Sequence, residues 1–133
     1  MMFMSHLDHS RLAPLVADAL SKQNSPVLDA LDEMLAEATL VPPEKIPPDL
    51  VTMNSEVVVE DATGGAPRRL RLVYGAPEPG EEGRTISVFS PMGAALLGAR
   101  VGEAVPVGRA PVARELRISA MPYQPESQGH WDR

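Results

Sequence analysis

A chain of 133 residues without a single cysteine holds one domain with an appendage or two small ones, and it excludes disulfide staples, thiol catalysis and thiolate metal sites. A formal net charge of −6 argues against generic or direct sequence-specific binding of nucleic acid, whose phosphates would be repelled, and leaves protein as the expected partner. Hydrophobic content of 44% supports a core, but aromatic content of 4% means that Val, Leu, Ile, Ala and Met must build it. The opening MMFMSHLDHSR lacks a basic segment followed by a long apolar run, so it does not read as a secretory signal. No window approaches the roughly 18 apolar residues of a membrane span. The expectation is a cytoplasmic protein that makes no contact with membrane.

Residues 6–22 read as a first helix, because Leu12, Leu15, Val16, Ala19 and Leu20 recur at three- and four-residue spacing. Asp8 or Ser10 is the expected cap, and Pro14 places the helix start close by, since proline is tolerated in the first turn. Gln23-Asn24-Ser25 is a polar turn, and Ser25-Pro26 signals a second start. The second helix runs to about Thr39, with Leu28, Leu31, Leu35 and Ala38 on one stripe. The two make a short antiparallel hairpin, a coiled coil of about 13 residues and about 20 Å per arm. On its outer face Asp29, Glu33 and Glu37 follow at four-residue steps with Asp32 beside them, and no Lys or Arg interrupts them. Such repulsion costs a few tenths of a kcal/mol per pair. A solvated face explains it, and so does a docking face for a basic surface. His6 and His9 share a helix face but lack a third ligand, so no metal is expected.

VPPEKIPPD at 41–49 reads as a semi-rigid extended linker, because two Pro-Pro pairs favour polyproline II. The organisation expected is therefore a hairpin over 1–40, a Pro-rich linker over 41–49 and a second unit over 50–133. From Val51 the period changes to two, with Met53, Ser55, Val57 and Val59 on one face. A turn at 61–65 leads into a returning strand with Leu70, Leu72 and Tyr74 together. An acidic Pro/Gly loop, GAPEPGEEG at 75–83, follows. Thr85 to Phe89 alternates again, putting Ile86 and Val88 opposite Thr85, Ser87 and Phe89. Ser90-Pro91 starts a short helix with Met92, Ala95, Leu96 and Leu97 as its apolar face, and Gly98 stops it. So short a helix needs a sheet to lie against. Val105 to Val107, interrupted by Pro106, reads as an edge strand. Residues 112–119 form the last strand, with Leu116 and Ile118 inward. Five strands and one short helix make an α+β unit.

SVFSPMGAALLGARVGE at 87–103 resembles the Ser-Pro segment in the C-terminal domain of bacterial Gre-type transcription factors. Val51-Thr52-Met53-Asn54-Ser55 and Tyr123-Gln124-Pro125-Glu126 extend the resemblance to short relatives of the Gre factors, over nearly the whole chain. The resemblance implies an FKBP-like fold for 50–133, a twisted antiparallel sheet around the short helix. It also implies binding to RNA polymerase at the coiled coil on the rim of the secondary channel. Gre factors touch that element with an Asp-Ser-Pro step; Ser90 and Pro91 match it, and Phe89 replaces the acid. Phe89, Ser90 and Pro91 are thus the expected polymerase-binding residues, with Phe89 exposed for apolar contact; the alternative is that Ser90-Pro91 is only a cap and Phe89 packs inward.

Catalysis is not expected. Neither a nucleophile elbow nor a phosphate-binding glycine loop is present. Prolyl isomerases of the FKBP type place a tryptophan on the central helix, whereas this helix carries Met92, Gly93, Ala94 and Ala95 and the tryptophan is Trp131, in the tail. Gre factors stimulate RNA cleavage with acidic residues at the tip of a long coiled coil. Here the tip is Lys22-Gln23-Asn24-Ser25-Pro26, without an acid until Asp29, and the hairpin is short. The expectation is a non-enzymatic transcription regulator without cofactor that binds polymerase and competes with Gre factors without stimulating cleavage. The competing readings are a regulator of nucleoside diphosphate kinase, acting on nucleotide metabolism, and a generic protein-interaction domain.

Overall fold

The computed structural model describes residues 3–61, 66–75, 83–107 and 114–129. The turn at 62–65, the acidic loop at 76–82, the start of the last strand at 112–113 and Trp131 lie outside the described residues.

The chain opens with β1 (Phe3–Ser5), which runs directly into α1 (His6–Lys22). Ser5 caps α1 by accepting a hydrogen bond from the Asp8 N–H at 3.0 Å. The expected caps, Asp8 and Ser10, are both inside the helix. The reason is visible in the packing: Asp8 occupies the buried stripe one turn before Leu12 and Val16. Pro14 does not mark the helix start either, since it lies eight residues into α1. Pro14 and Ser10 are both exposed, so water can serve the Ser10 carbonyl that proline leaves without a helical donor. After three residues, α2 (Pro26–Glu37) begins behind the Ser25 cap, whose hydroxyl accepts from the Val27 N–H at 3.2 Å. Leu28, Leu31 and Leu35 are its buried face. Next, β2 (Thr39–Val41) pairs in parallel with β1, Met4 opposite Leu40. That pairing brings the two ends of the hairpin together, so α2 runs back along α1.

In the proline-rich stretch a turn interrupts the extended backbone, which resumes at Ile46. Pro42 has φ −62° and ψ 153°, but Pro43–Lys45 closes a 3-10 turn in which the Lys45 N–H donates to the Pro42 carbonyl at 2.9 Å. Burial of Pro43 and Ile46 against the molecule outweighs the local polyproline preference.

Five strands follow in the spatial order β5-β4-β3-β7-β6: β3 (Glu56–Asp61), β4 (Arg68–Val73), β5 (Thr85–Ser87), β6 (Ala104–Val107) and β7 (Arg114–Tyr123). The first strand was expected from Val51, but it starts at Glu56. Before it, the Ser55 hydroxyl accepts from the Thr52 N–H at 3.1 Å, the Ser55 N–H donates to the Thr52 carbonyl, and Asn54 takes φ 65°. The short polar side chain of Ser55, bonding the local backbone, makes a turn there, and only the Asn54 N–H and the Ser55 carbonyl still bond Leu72, at 2.7 and 3.0 Å. The sheet also departs from a purely antiparallel one, since β5 runs parallel to β4, Leu72 opposite Ile86. The edge strand β6 carries Pro106 as expected.

α3 (Pro91–Leu96) lies across the sheet. One apolar core joins Leu12, Val16, Leu31 and Leu35 of the hairpin to Val57, Val59, Leu70, Leu72, Leu96, Leu116 and Ile118. Alternation along β3 and β4 leaves Glu56, Val58, Arg69 and Arg71 on the opposite face of the sheet.

Candidate functional site

The strand–helix junction is shaped by serines. β5 ends at Ser87 because its own hydroxyl accepts from the Phe89 N–H at 3.1 Å and its carbonyl accepts from the Ser90 N–H at 3.0 Å, which turns the chain. The alternation expected through Phe89 therefore stops two residues earlier. Ser90 then does two jobs: its hydroxyl donates to the Ser87 carbonyl at 2.7 Å and accepts from the Gly93 N–H at 3.1 Å. Pro91 is the first helical residue and is exposed. Gly93 is demanded by contact, because a Cβ at that position would stand 1.9 Å from the Ser87 carbonyl oxygen. At the far end Gly98 takes φ 83°, the left-handed conformation expected of it.

Phe89 is not exposed. It is half-buried against the core and lines a hollow of about 230 Å³ with Leu15, Ala19, Gln23, Ser25 and Leu28, all from the hairpin. An aromatic ring between two apolar layers removes area from water that an outward ring would expose. Beside Pro91 lies a larger groove, about 560 Å³, lined by Pro26, Val27 and Ala30 of α2, by Pro91, Ala94 and Ala95 of α3, and by Pro106. Among the described residues every lining side chain is apolar. Asp29, Asp32, Glu33 and Glu37 are all exposed on α2. Pro26, Ala30, Glu33 and Glu37 follow at four, three and four residues, so the groove wall continues along the helix into carboxylates.

A second polar centre had gone unread in the sequence. Asp8, only 4% exposed, accepts from the Met53 N–H at 3.2 Å and from the Tyr74 hydroxyl at 3.4 Å. The Thr52 hydroxyl donates to Glu126 at 2.7 Å and lies 2.8 Å from the Ser55 hydroxyl. Gln124, buried, donates to the Pro47 and Leu50 carbonyls at 2.9 and 2.7 Å. The two outlying motifs, 51–55 and 123–126, thus meet in space. Burial, then the Glu126 carboxylate, pushes Asp8 up to about 7, against the Met53 N–H, Arg11 and Tyr74. Burial also raises Glu126, opposed chiefly by the Thr52 hydroxyl. Tyr74 is raised by burial and by Asp8. The signal available in the sequence was the position of Asp8, one turn before Leu12 on the apolar stripe.

His9 uses its Nε2 on the Leu35 carbonyl at 3.1 Å. Among the described residues no group of three or more His, Asp or Glu is arranged to hold a metal, and no helix is long and apolar enough to cross a membrane.

Residues 46–122 match the family "Transcription elongation factor, GreA/GreB, C-term". The chain is 40% identical over 110 residues to the "Regulator of nucleoside diphosphate kinase" of Escherichia coli K12, covering 80% of this chain and 78% of that one; the Shigella flexneri protein of the same name matches equally. Among solved structures, "Prokaryotic transcription elongation factor GreA/GreB from Nitrosomonas europaea" aligns with a TM-score of 0.77 at 35% identity, covering 92% of this chain and 100% of that one. The serine-shaped junction, the meeting of the two outlying motifs and these likenesses agree: the chain belongs to the GreA/GreB family of transcription elongation factors.

Proposed function

We propose that the chain is a non-enzymatic, cytoplasmic transcription regulator that docks on RNA polymerase at the rim of the secondary channel and competes there with Gre factors, without stimulating RNA cleavage. The observation that carries this reading is the exposed Pro91 at the wall of an apolar groove that runs into carboxylates on α2. An apolar groove with an acidic border suits an amphipathic, basic helix, with apolar contact for affinity and charge for rate and orientation. In this proposal the three junction residues divide the work. Pro91 touches polymerase, Ser90 fixes the turn, and Phe89 props the junction against the hairpin instead of contacting the partner. The hairpin over 1–40 acts as a short coiled coil, the stretch 41–49 as its connection, and 50–133 as an FKBP-like docking unit.

The hairpin tip supports the second half of the proposal. Lys22 to Pro26 carry no carboxylate, and α1, with 17 residues, spans about 25 Å. Such an arm has neither the acid nor the reach to help hold a metal ion in a distant active site. The second reading, regulation of nucleoside diphosphate kinase, is favoured by the name of the relatives at 40% identity. The test is inhibition of Gre-stimulated cleavage in a stalled elongation complex. The full chain should inhibit without shortening RNA by itself, and Pro91→Glu, at an exposed site, should inhibit far less while keeping its unfolding midpoint. Shortened RNA, or equal inhibition by Pro91→Glu, overturns the reading; capture of the kinase without polymerase favours the second.

A further inference from the structure

We propose that Asp8 and Glu126 form a proton-operated latch: a neutral Asp8 lets the 3-10 turn Glu126–Gln128 dock on Thr52, and an ionised Asp8 expels it. The proposal stands apart from the docking reading, since none of its residues lines the α2–α3 groove. Two carboxyls reach one dipeptide from opposite ends of the chain. Asp8 accepts from the Met53 N–H at 3.2 Å, and Glu126 accepts from the hydroxyl of the preceding residue, Thr52, at 2.7 Å. Thr52, Met53 and Ser55 are all buried, and the Ser55 hydroxyl holds the Thr52 N–H at 3.1 Å, so the dipeptide between the carboxyls is fixed. Water screens charges poorly at such a place.

The two carboxyls differ in freedom. Asp8 is 4% exposed and precedes Leu12 and Val16 on the buried stripe of α1, so it cannot turn to water without moving the helix. Glu126 is half-buried on a turn of three residues, closed by the Ser127 and Gln128 N–H groups on the Gln124 and Pro125 carbonyls, both at 3.1 Å. Gln124, with its bonds to the Pro47 and Leu50 carbonyls, anchors the chain just before it. The turn can therefore swing from Gln124 while the hairpin stays. Charged and titratable neighbours set the order of ionisation. Tyr74 of β4 and Arg11 of α1 face Asp8, and Arg11 also faces Glu126 and hydrogen-bonds Tyr74. Glu44 and Lys45, on the 3-10 turn packed beside Glu126–Gln128, are exposed. Burial and then the Glu126 carboxylate oppose ionisation of Asp8, whereas burial alone opposes that of Glu126 and the Thr52 hydroxyl favours it. The proton kept longest thus sits on Asp8. When Asp8 loses it, two anions flank Thr52-Met53, and the one on the short turn leaves.

NMR titration of the full chain from about pH 5 to about pH 8.5 tests the latch. The readouts are the side-chain carboxyl shifts of Asp8 and Glu126 and the backbone order at Ser127 and Gln128. As Asp8 ionises, at about pH 7, order parameters of Ser127 and Gln128 should fall from about 0.85 to below about 0.6, while Leu12 and Ile118 stay ordered. Asp8→Asn should keep the turn ordered across the whole range. Glu126→Gln, at a half-buried site, should move the Asp8 titration down by about one pH unit, about a tenfold change in proton affinity. This second variant decides the matter even where Asp8→Asn fails to fold. The proposal is overturned if the turn stays ordered with Asp8 ionised, or if it loosens with pH in Asp8→Asn as well. It is also overturned if Glu126→Gln leaves the Asp8 titration in place, or if Leu12 and Ile118 loosen together with the turn.

Discussion

Ser90 and Asp8 each accept a hydrogen bond from a backbone N–H, yet they do so over very different stretches of chain. The partners of Ser90 are three residues away on either side, at Ser87 and Gly93. Those of Asp8 lie 45 and 66 residues away, at Met53 and Tyr74. The junction is a local device: it starts a helix, it is half open to solvent, and its side chains stay neutral. The Asp8 centre is a non-local device, formed around a buried carboxyl with half-buried Tyr74 and Glu126, and built from groups that titrate. A local device is paid for by one turn of backbone, whereas a non-local one holds only when the surrounding fold is complete.

The comparison can be broken first at Gly93. Gly93→Ala places a Cβ 1.9 Å from the Ser87 carbonyl oxygen, which is backbone and has little room to move. A loss above about 4 kcal/mol, or failure to fold, is expected from such a clash; chemical denaturation checks it. A near-neutral result would mean that the junction is far more plastic than its hydrogen bonds imply.

The next effect is smaller and depends on pH. Asp8 is raised in the folded state to about 7 from an ordinary 3.8. Its contribution to stability is therefore full below about pH 4 and is lost as pH rises through about 7, the reverse of a salt-bridged carboxylate. Glu126, also raised, acts in the same direction. Asp8→Asn keeps an oxygen for the Met53 N–H and removes the titration. Unfolding free energies measured from pH 4.5 to 8 should fall for the wild type relative to Asp8→Asn, by on the order of 2 kcal/mol at the alkaline end. Parallel curves would mean that Asp8 stays ionised and paired throughout.

The smallest effect sharpens the contrast. Ser90→Ala removes the helix cap that accepts from the Gly93 N–H, so about 1 kcal/mol is expected. Stability should change little with pH, and inhibition of Gre-stimulated cleavage should drop if the turn angle sets the position of Pro91.

The same difference in range decides what could be read from the chain beforehand. Both hairpin helices, the Ser25 and Ser90 caps, the Gly98 stop and the inward Leu116 and Ile118 depend on neighbours within a few residues, and periodicity carries them. The orientation of Phe89 depends on where the hairpin packs, which no local pattern encodes. So does the burial of Asp8, whose side chain reads as an ordinary first-turn acid until Met53 and Tyr74 arrive. Val51 to Ser55 misled for a related reason: alternation was present, but the Ser55 hydroxyl bonds the Thr52 N–H and Asn54 takes the left-handed conformation, which turns the backbone. Recognition of the Ser-Pro segment located the junction, and the groove beside it required α2 to be placed against α3.

Thr52 and Glu126 are 74 residues apart, and Asp8 meets the same centre from the opposite end of the chain. During synthesis, α1 therefore leaves the ribosome long before the strand and tail that complete its surroundings. The hairpin must wait with Leu12, Val16 and Leu31 uncovered, the condition in which nascent chains attract chaperones. High sequence separation among the closing contacts also slows the final step, because the largest loop closes last. A destabilised tail, such as one with Glu126→Pro, should then reveal itself less in the finished protein than in the yield of soluble chain from cell-free translation.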